Sequence, residues 1–206
     1  MTDQPEKFEL NDGFEDRIRR LQAAQYSILK DCMLAKKAGD ADSEEAASKK
    51  LFYNNQELRS TMKAEALKFR AESRVDRAAS DDQQVSQLLG AFVRGLRLTR
   101  LWRDVLMESR IAQRHGQKVV DIIQPALDAL GRRGDLEAFL DHPDLSVRAT
   151  AATWLIIRMP EKCVPILKEI ASRDLITTDA AGIAHWGLVI YENDPEFLAR
   201  GDKNRP

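Results

Sequence analysis

Arginine recurs at every third position in Arg94, Arg97, Arg100 and Arg103, and Arg110, Arg114 and Lys118 extend the basic run. A row of guanidinium groups on one helix can track phosphates, each contact adding salt-dependent affinity, so the first four are candidate nucleic-acid contacts. On a helix of 3.6 residues per turn, however, a step of three drifts backward by about 60° each time. The four arginines therefore fan over half of the helix surface and form no single line. Two other uses suit them: ion pairs with the carboxylates of the N-terminal half, with the stems covering a buried helix, or contact with a protein partner.

The other chemistry-bearing residues are sparse. None of His115, His142 and His185 lies four residues from another histidine or beside a cysteine at ligand spacing, so no metal site is expected. Cys32 and Cys163 are far apart, each inside an apolar helical pattern, and read as buried reduced thiols. There is no G-x-S-x-G, no glycine-rich phosphate loop and no S-x-x-K arrangement. No pair among the many carboxylates stands out as an acid/base couple. No catalytic residue and no cofactor is assigned. An enzyme reading needs a deep pocket of convergent polar groups, which a sequence does not display.

The elements that must position these residues are helical. Hydrophobic residues make up 43% of the 206, enough for a core, while aromatics are only 6%. Valine and isoleucine nowhere alternate with polar residues over a strand length, so the fold class is all-α. A formal net charge of −1 makes the whole chain no polycation for nucleic acid. No apolar run approaches the roughly 20 residues a membrane span needs. The opening MTDQPEKFEL is acidic and polar, unlike a secretory signal, which predicts a cytoplasmic protein with no membrane partner.

Residues 1–79 read as a helical hairpin or coiled-coil region. After a loose arm, Asn11 or Asp12 caps a helix whose seam is Phe14, Ile18, Leu21, Gln25, Ile28, Cys32 and Ala35. Gly39 ends it. Asp42 or Ser43 caps a second long helix with its seam at Ala47, Leu51, Asn54, Leu58, Met62, Glu65 and Phe69. The short connection predicts an antiparallel pair. It either folds onto the remaining body, stands free as an arm, or closes a homodimer of four helices.

Residues 80–206 read as a second helical region. Ser80 and Gln83 form an S-x-x-Q capping box ahead of the arginine-bearing helix, apolar on nearly all sides and the most buried in the molecule. Gly90 and Gly95 suit close packing or a bend. The next break is expected at His115-Gly116. A helix over 119–130 follows, kinked or restarted at Pro125 and closed by Gly131-Arg132-Arg133-Gly134. A last helix, capped by Thr177 or Thr178, runs to Asn193 and stops at Asp194-Pro195, before a polar tail.

Between these lies a stretch with its own punctuation. His142-Pro143-Asp144 is a tight turn, and Asp144 and Ser146 suit the cap of a helix that begins near Ser146. Val147, Ala151, Trp154 and Leu155 share its inner face, and Ala149, Ala151 and Ala152 permit close approach by a neighbour. Pro160-Glu161 opens the next helix.

The run from Leu140 to Arg148, followed by Ala151-Ala152, resembles the HEAT-repeat pattern, in which an aspartate precedes a valine–arginine pair and small residues. Leu136 to Leu198 is also similar to a small bacterial domain built on HEAT-like helices, with Pro160-Glu161 and Asp179-Ala180 matching its later helices. The resemblance covers about a third of the chain. It implies a HEAT-like right-handed helical repeat, a short α-solenoid, behind the N-terminal antiparallel hairpin. It implies a binding role: a protein–protein adaptor or a toxin-neutralising immunity protein, with nucleic-acid binding through the arginine helix as the alternative. The contact surface expected for another protein is a concave face lined by Arg148, Arg158, Lys168 or Trp186.

Overall fold

Every seam position of α1 (Phe14–Ala38), from Phe14 to Ala35, is buried or half-buried, whereas most positions between them face solvent. That is the outcome of a heptad pattern with a partner on one side. The computed structural model describes residues 13–74, 76, 78–173 and 179–200. Among them every regular element is helical. The expected caps Asn11, Asp12, Thr177 and Thr178, the N-terminal arm and the polar tail lie outside the described residues.

Gly39 ends α1 in the left-handed conformation, at φ 70°, which costs glycine nothing. The chain reverses so abruptly there that Asp40, not Asp42 or Ser43, caps α2 (Ala41–Glu72). Its carboxylate accepts from Ser43 N at 3.0 Å and Ser43 Oγ at 2.7 Å. The two helices run in opposite directions. Arg17 pairs with Glu57 at 3.0 Å, Asn54 Nδ2 donates to the Leu21 carbonyl at 3.1 Å, and Gln25 Nε2 donates to Asn55 Oδ1 at 3.0 Å. The polar seam residues are thus hydrogen-bonded where they are desolvated. Cys32 is half-buried rather than buried, with Sγ 3.9 Å from Ser48 Oγ, and both cysteines are free. Cys163 is fully buried, and burial pushes its thiol up to about 12.

The helix α3 (Asp81–Asp104) starts at the expected capping box of Ser80 and Gln83 and is buried over most of its circumference. Gly95 lets α2 and the segment after α4 press against it. A Cβ there would stand 2.4 Å from Val119 Cγ2 and 2.7 Å from Phe69 Cε2. At Gly90 a Cβ would meet nothing within 4 Å.

The chain does not break at His115-Gly116. It turns eight residues before His115, where Met107 takes a φ of 55° and the Glu108 N–H donates to the Trp102 carbonyl at 2.8 Å. No glycine or proline marks that turn, and Gly116 lies inside α4 (Ser109–Lys118). α4 continues as one π-helical turn, Val119–Ile123, in which the Gln124 N–H reaches back five residues to the Val119 carbonyl. Pro125, in the first turn of α5 (Gln124–Ala129), has no N–H to offer, and the widened turn absorbs the missing bond.

Gly131, at φ 69°, then leads into a 3₁₀ stretch, Arg133–Phe139. Asp144 caps α6 (Leu145–Leu155), accepting from Ser146 N at 2.9 Å and Val147 N at 3.4 Å. Next come α7 (Pro160–Ala171) and α8 (Asp179–Asn193). Asp194-Pro195 ends α8 but also starts a short further helix, α9 (Pro195–Ala199), with Asp194 as its cap. α6 packs against α3, α7 and α8, and Ala149, Ala151 and Ala152 are wholly buried there. A single apolar core runs from Phe14 and Ile18 through Phe92 and Trp154 to Ile170 and Leu198.

Candidate functional site

The arginine array is spent mostly inside the molecule. Arg94 is 4% exposed, with Nη1 on the Glu65 carboxylate and Nε donating to Glu72 Oε2 at 2.8 Å. Arg97 is buried with its guanidinium 5.9 Å from the Phe14 ring centre. Arg100 pairs with Asp144 at 3.3 Å, and Arg103 with Asp104 at 2.9 Å. The side chains radiate toward α2, α1, the cap of α6 and their own helix, as the backward drift of a three-residue step requires. The outward exposure that phosphate tracking needs is absent at Arg94 and Arg97.

The second expected set comes from α6, α7, α8 and the segment after α6. Arg148 is half-buried in the first turn of α6, its Nε buried without a hydrogen-bond partner. It helps Arg173, the larger influence, to hold the Glu169 carboxyl below its usual range. Arg158 lies beyond the other end of α6, next to Gly134, roughly 15 Å along the helix. Lys168 is exposed on α7, and Trp186 is 63% exposed on α8 with its ring against His185. Arg148 and Arg158 therefore lie at opposite ends of α6.

A different site emerges where α2, α3 and α4 meet. Lys63, Ala66, Leu67 and Arg70 of α2 form one wall, and Ile111, Arg114, His115 and Lys118 of α4 the other. Each wall uses positions i, i+3, i+4 and i+7, the stripe one helix turns toward a neighbour. Trp102 of α3, only 3% exposed, completes the lining. Arg59 of α2 pairs with Glu108 at 2.7 Å, and Phe69 meets His115 edge-on, so the walls run parallel with the cavity of about 460 Å³ between them.

The electrostatics of this groove are one-sided. Its lining contains no carboxylate, and Lys63, Arg70, Arg114 and Lys118 form no ion pair among the described residues. Arg70, in the last turn of α2, also complements that helix's dipole. Arg114 and Lys118 have no such excuse, because the chain runs on helically past Lys118. His115 feels the cations directly. Burial first, then the charges of Lys118, Arg114 and Arg70, push its pKa down to about 4, so the imidazole is neutral at physiological pH.

Trp102 Nε1 and His115 Nδ1, on two of the lining residues, are buried and have no hydrogen-bond partner among the described residues. Apolar walls with surplus positive charge suit an anionic ligand that also carries an apolar part. No nucleophile–base pair lies among these side chains, and among the described residues no group of histidine, cysteine and carboxylates could hold a metal ion.

Sequence reasoning named Arg114 and Lys118 only as an extension of the array, and did not single out Lys63, Arg70 or Trp102 as site residues. The available signal was the stripe of mixed leucine and cations on α2, at Lys63, Leu67 and Arg70, on a face off the hairpin seam. Among the described residues no helix is long and apolar enough to cross a membrane. No protein-family model, curated protein or solved structure matches the chain.

Proposed function

We propose that this chain is a non-catalytic protein-interaction module that captures an acidic segment of another protein in the groove between α2 and α4. The carrying observation is the convergence of four cations, without ion pairs among the described residues, on an apolar lining that holds no carboxylate. A macromolecular partner suits a groove bounded by two helical stripes. In this reading α1 and α2 are an antiparallel hairpin set on a HEAT-like stack. The Asp144 cap, the Pro160 start and the alanine-lined packing of α6 support that stack. Adaptor and toxin-neutralising roles both need such a rigid surface, and free thiols suit a reducing, cytoplasmic setting.

The alternative, nucleic-acid binding, would have to use the groove cations together with Arg100 and Arg103, because Arg94 and Arg97 are buried. Self-association has its own support. Tyr26, Leu29 and Met33, spaced by three and four on α1, are all exposed, as is Phe52 on α2.

Affinity capture from native lysate, with wild type beside an Arg70→Glu/Arg114→Glu variant, tests the proposal. A stoichiometric protein that survives nuclease and is lost with the variant is the expected result. A partner held equally by both proteins overturns it, and material released by nuclease moves the function to nucleic acid. Concentration-dependent sedimentation of the purified chain reports the homodimer separately.

A further inference from the structure

Resting on that reading of the groove, we infer that its ligand is an amphipathic helix with an apolar anchor and a cluster of carboxylates one to two turns further on. The geometry of the walls carries this. α2 and α4 each present an i, i+3, i+4, i+7 stripe, which is how a helix addresses another helix, yet among the described residues no helix occupies the space between them. From Lys63 to Arg70 the wall is about 10 Å long, close to two helical turns.

The groove is also polarised along its length. Arg59 with Glu108 marks one end, and Phe69 beside His115 marks the other. Leu67, Ala66 and Ile111 form its apolar part, against Trp102. Arg70, Arg114 and Lys118 gather at the His115 end, close enough to depress that imidazole together. A ligand helix that rests leucines or an aromatic ring on the apolar part brings its next turns over the cations. Carboxylates there replace water around three guanidinium and ammonium groups and form charge-assisted hydrogen bonds. The negative end of the ligand's dipole is favoured at the same place, so its C-terminal turn lies over Arg70, Arg114 and Lys118.

The probe is a fluorescein-labelled helical peptide of about 16 residues with leucines at i and i+4 and glutamates at i+7, i+8 and i+11. Anisotropy at about 50 mM salt is expected to show saturable binding that weakens as salt rises. Glu→Gln peptide, a peptide with a central proline, and the Arg70→Glu/Arg114→Glu protein are each expected to weaken it by at least about tenfold. The charge-reversed protein should bind a Glu→Lys peptide instead, a rescue that an unfolded variant cannot produce.

Equal binding of the proline peptide overturns the helical form of the ligand, and no binding of the probe by wild type overturns the inference altogether. So does competition by inorganic phosphate or a nucleoside triphosphate at concentrations that leave the peptide's own affinity unmatched, which would assign the groove to small anions. If the peptide fails while a captured protein still depends on Arg70 and Arg114, the interaction function stands and only this ligand form falls.

Discussion

The indole of Trp102 and the imidazole of His115 lie almost parallel, 11° apart in plane and 6.5 Å between centres, and both residues line the groove. One ring comes from the last turn of α3 and the other from the last turn of α4. Their proximity depends on the Met107 turn that folds α4 back along α3. The pair makes the groove both apolar and sensitive to charge.

His115 supplies the first prediction. Its pKa is about 4 in the folded protein against 6.5 as a free side chain, so the unfolded state takes up a proton first as pH falls. Stability is therefore undiminished above pH 6.5, declines as pH falls from 6.5 to about 4, and loses nothing further from this group below that. Urea unfolding of wild type and His115→Phe across this range should show the decline shrinking in the variant. An acidic peptide in the groove neutralises part of the opposing field, so the His115 titration followed by NMR should move upward when it binds. No movement would detach His115 from the binding site.

A second prediction concerns Glu65, 1% exposed on the seam of α2 and paired with the buried Arg94. Glu65→Ala removes the buried carboxylate from that guanidinium, whose pair with the partly exposed Glu72 remains. Breaking a buried pair on one side costs about 3 kcal/mol or more. The combined Glu65→Leu/Arg94→Met variant should recover most of that, since neither charge then remains desolvated. Denaturation midpoints for the single and double variants measure both; an undisturbed single variant would deny the pair its structural role.

Two glycines of α3 should respond with opposite sign. Alanine has the better helix propensity by about 1 kcal/mol, and at Gly90 nothing within 4 Å resists it, so Gly90→Ala stabilises. At Gly95 the new methyl group overlaps Val119 and Phe69, and overpacking of about 1–3 kcal/mol outweighs the same gain. Gly95→Ala with Val119→Ala should restore part of the loss. Thermal unfolding of the variants distinguishes the two sites.

The fourth prediction is local. Arg133, 1% exposed, makes a two-pronged pair with Asp128 at 2.6 and 2.5 Å and donates to the carbonyls of Leu198 at 3.1 Å and Arg200 at 3.2 Å. It ties α9 to the corner after α5. Arg133→Met should speed amide exchange in α9 far more than in α1, while costing about 3–5 kcal/mol through the stranded Asp128. Uniform exchange throughout would show the contact to be incidental.

The long helices, their seams and most of their caps were determined by local sequence. Phe14 to Ala35 and Ala47 to Phe69 are written at heptad spacing, and the short polar link leaves the two helices little choice but to run back on each other. Ser80 with Gln83, Asp144 before Ser146, and Pro160 each state a helix start through hydrogen bonds that span two or three residues. The burial of α3 and the fanning of its arginines likewise follow from helical geometry alone.

The turn at Met107 could not be read in this way. Met107 is 81% exposed, and the turn is held by its neighbour Glu108, whose N–H reaches the Trp102 carbonyl and whose carboxylate pairs with Arg59 on another helix. Without that turn His115-Gly116 was the visible break. The groove was hidden for the same reason. Lys63, Arg70, Trp102 and Lys118 are spread over 56 positions of the chain, and on their own helices they look like solvated charges and a core aromatic. Only tertiary packing set the α2 and α4 stripes side by side, with no carboxylate between them. Helical periodicity is short-range and therefore legible, whereas convergence of charge from separate helices depends on long-range contacts that no local pattern encodes.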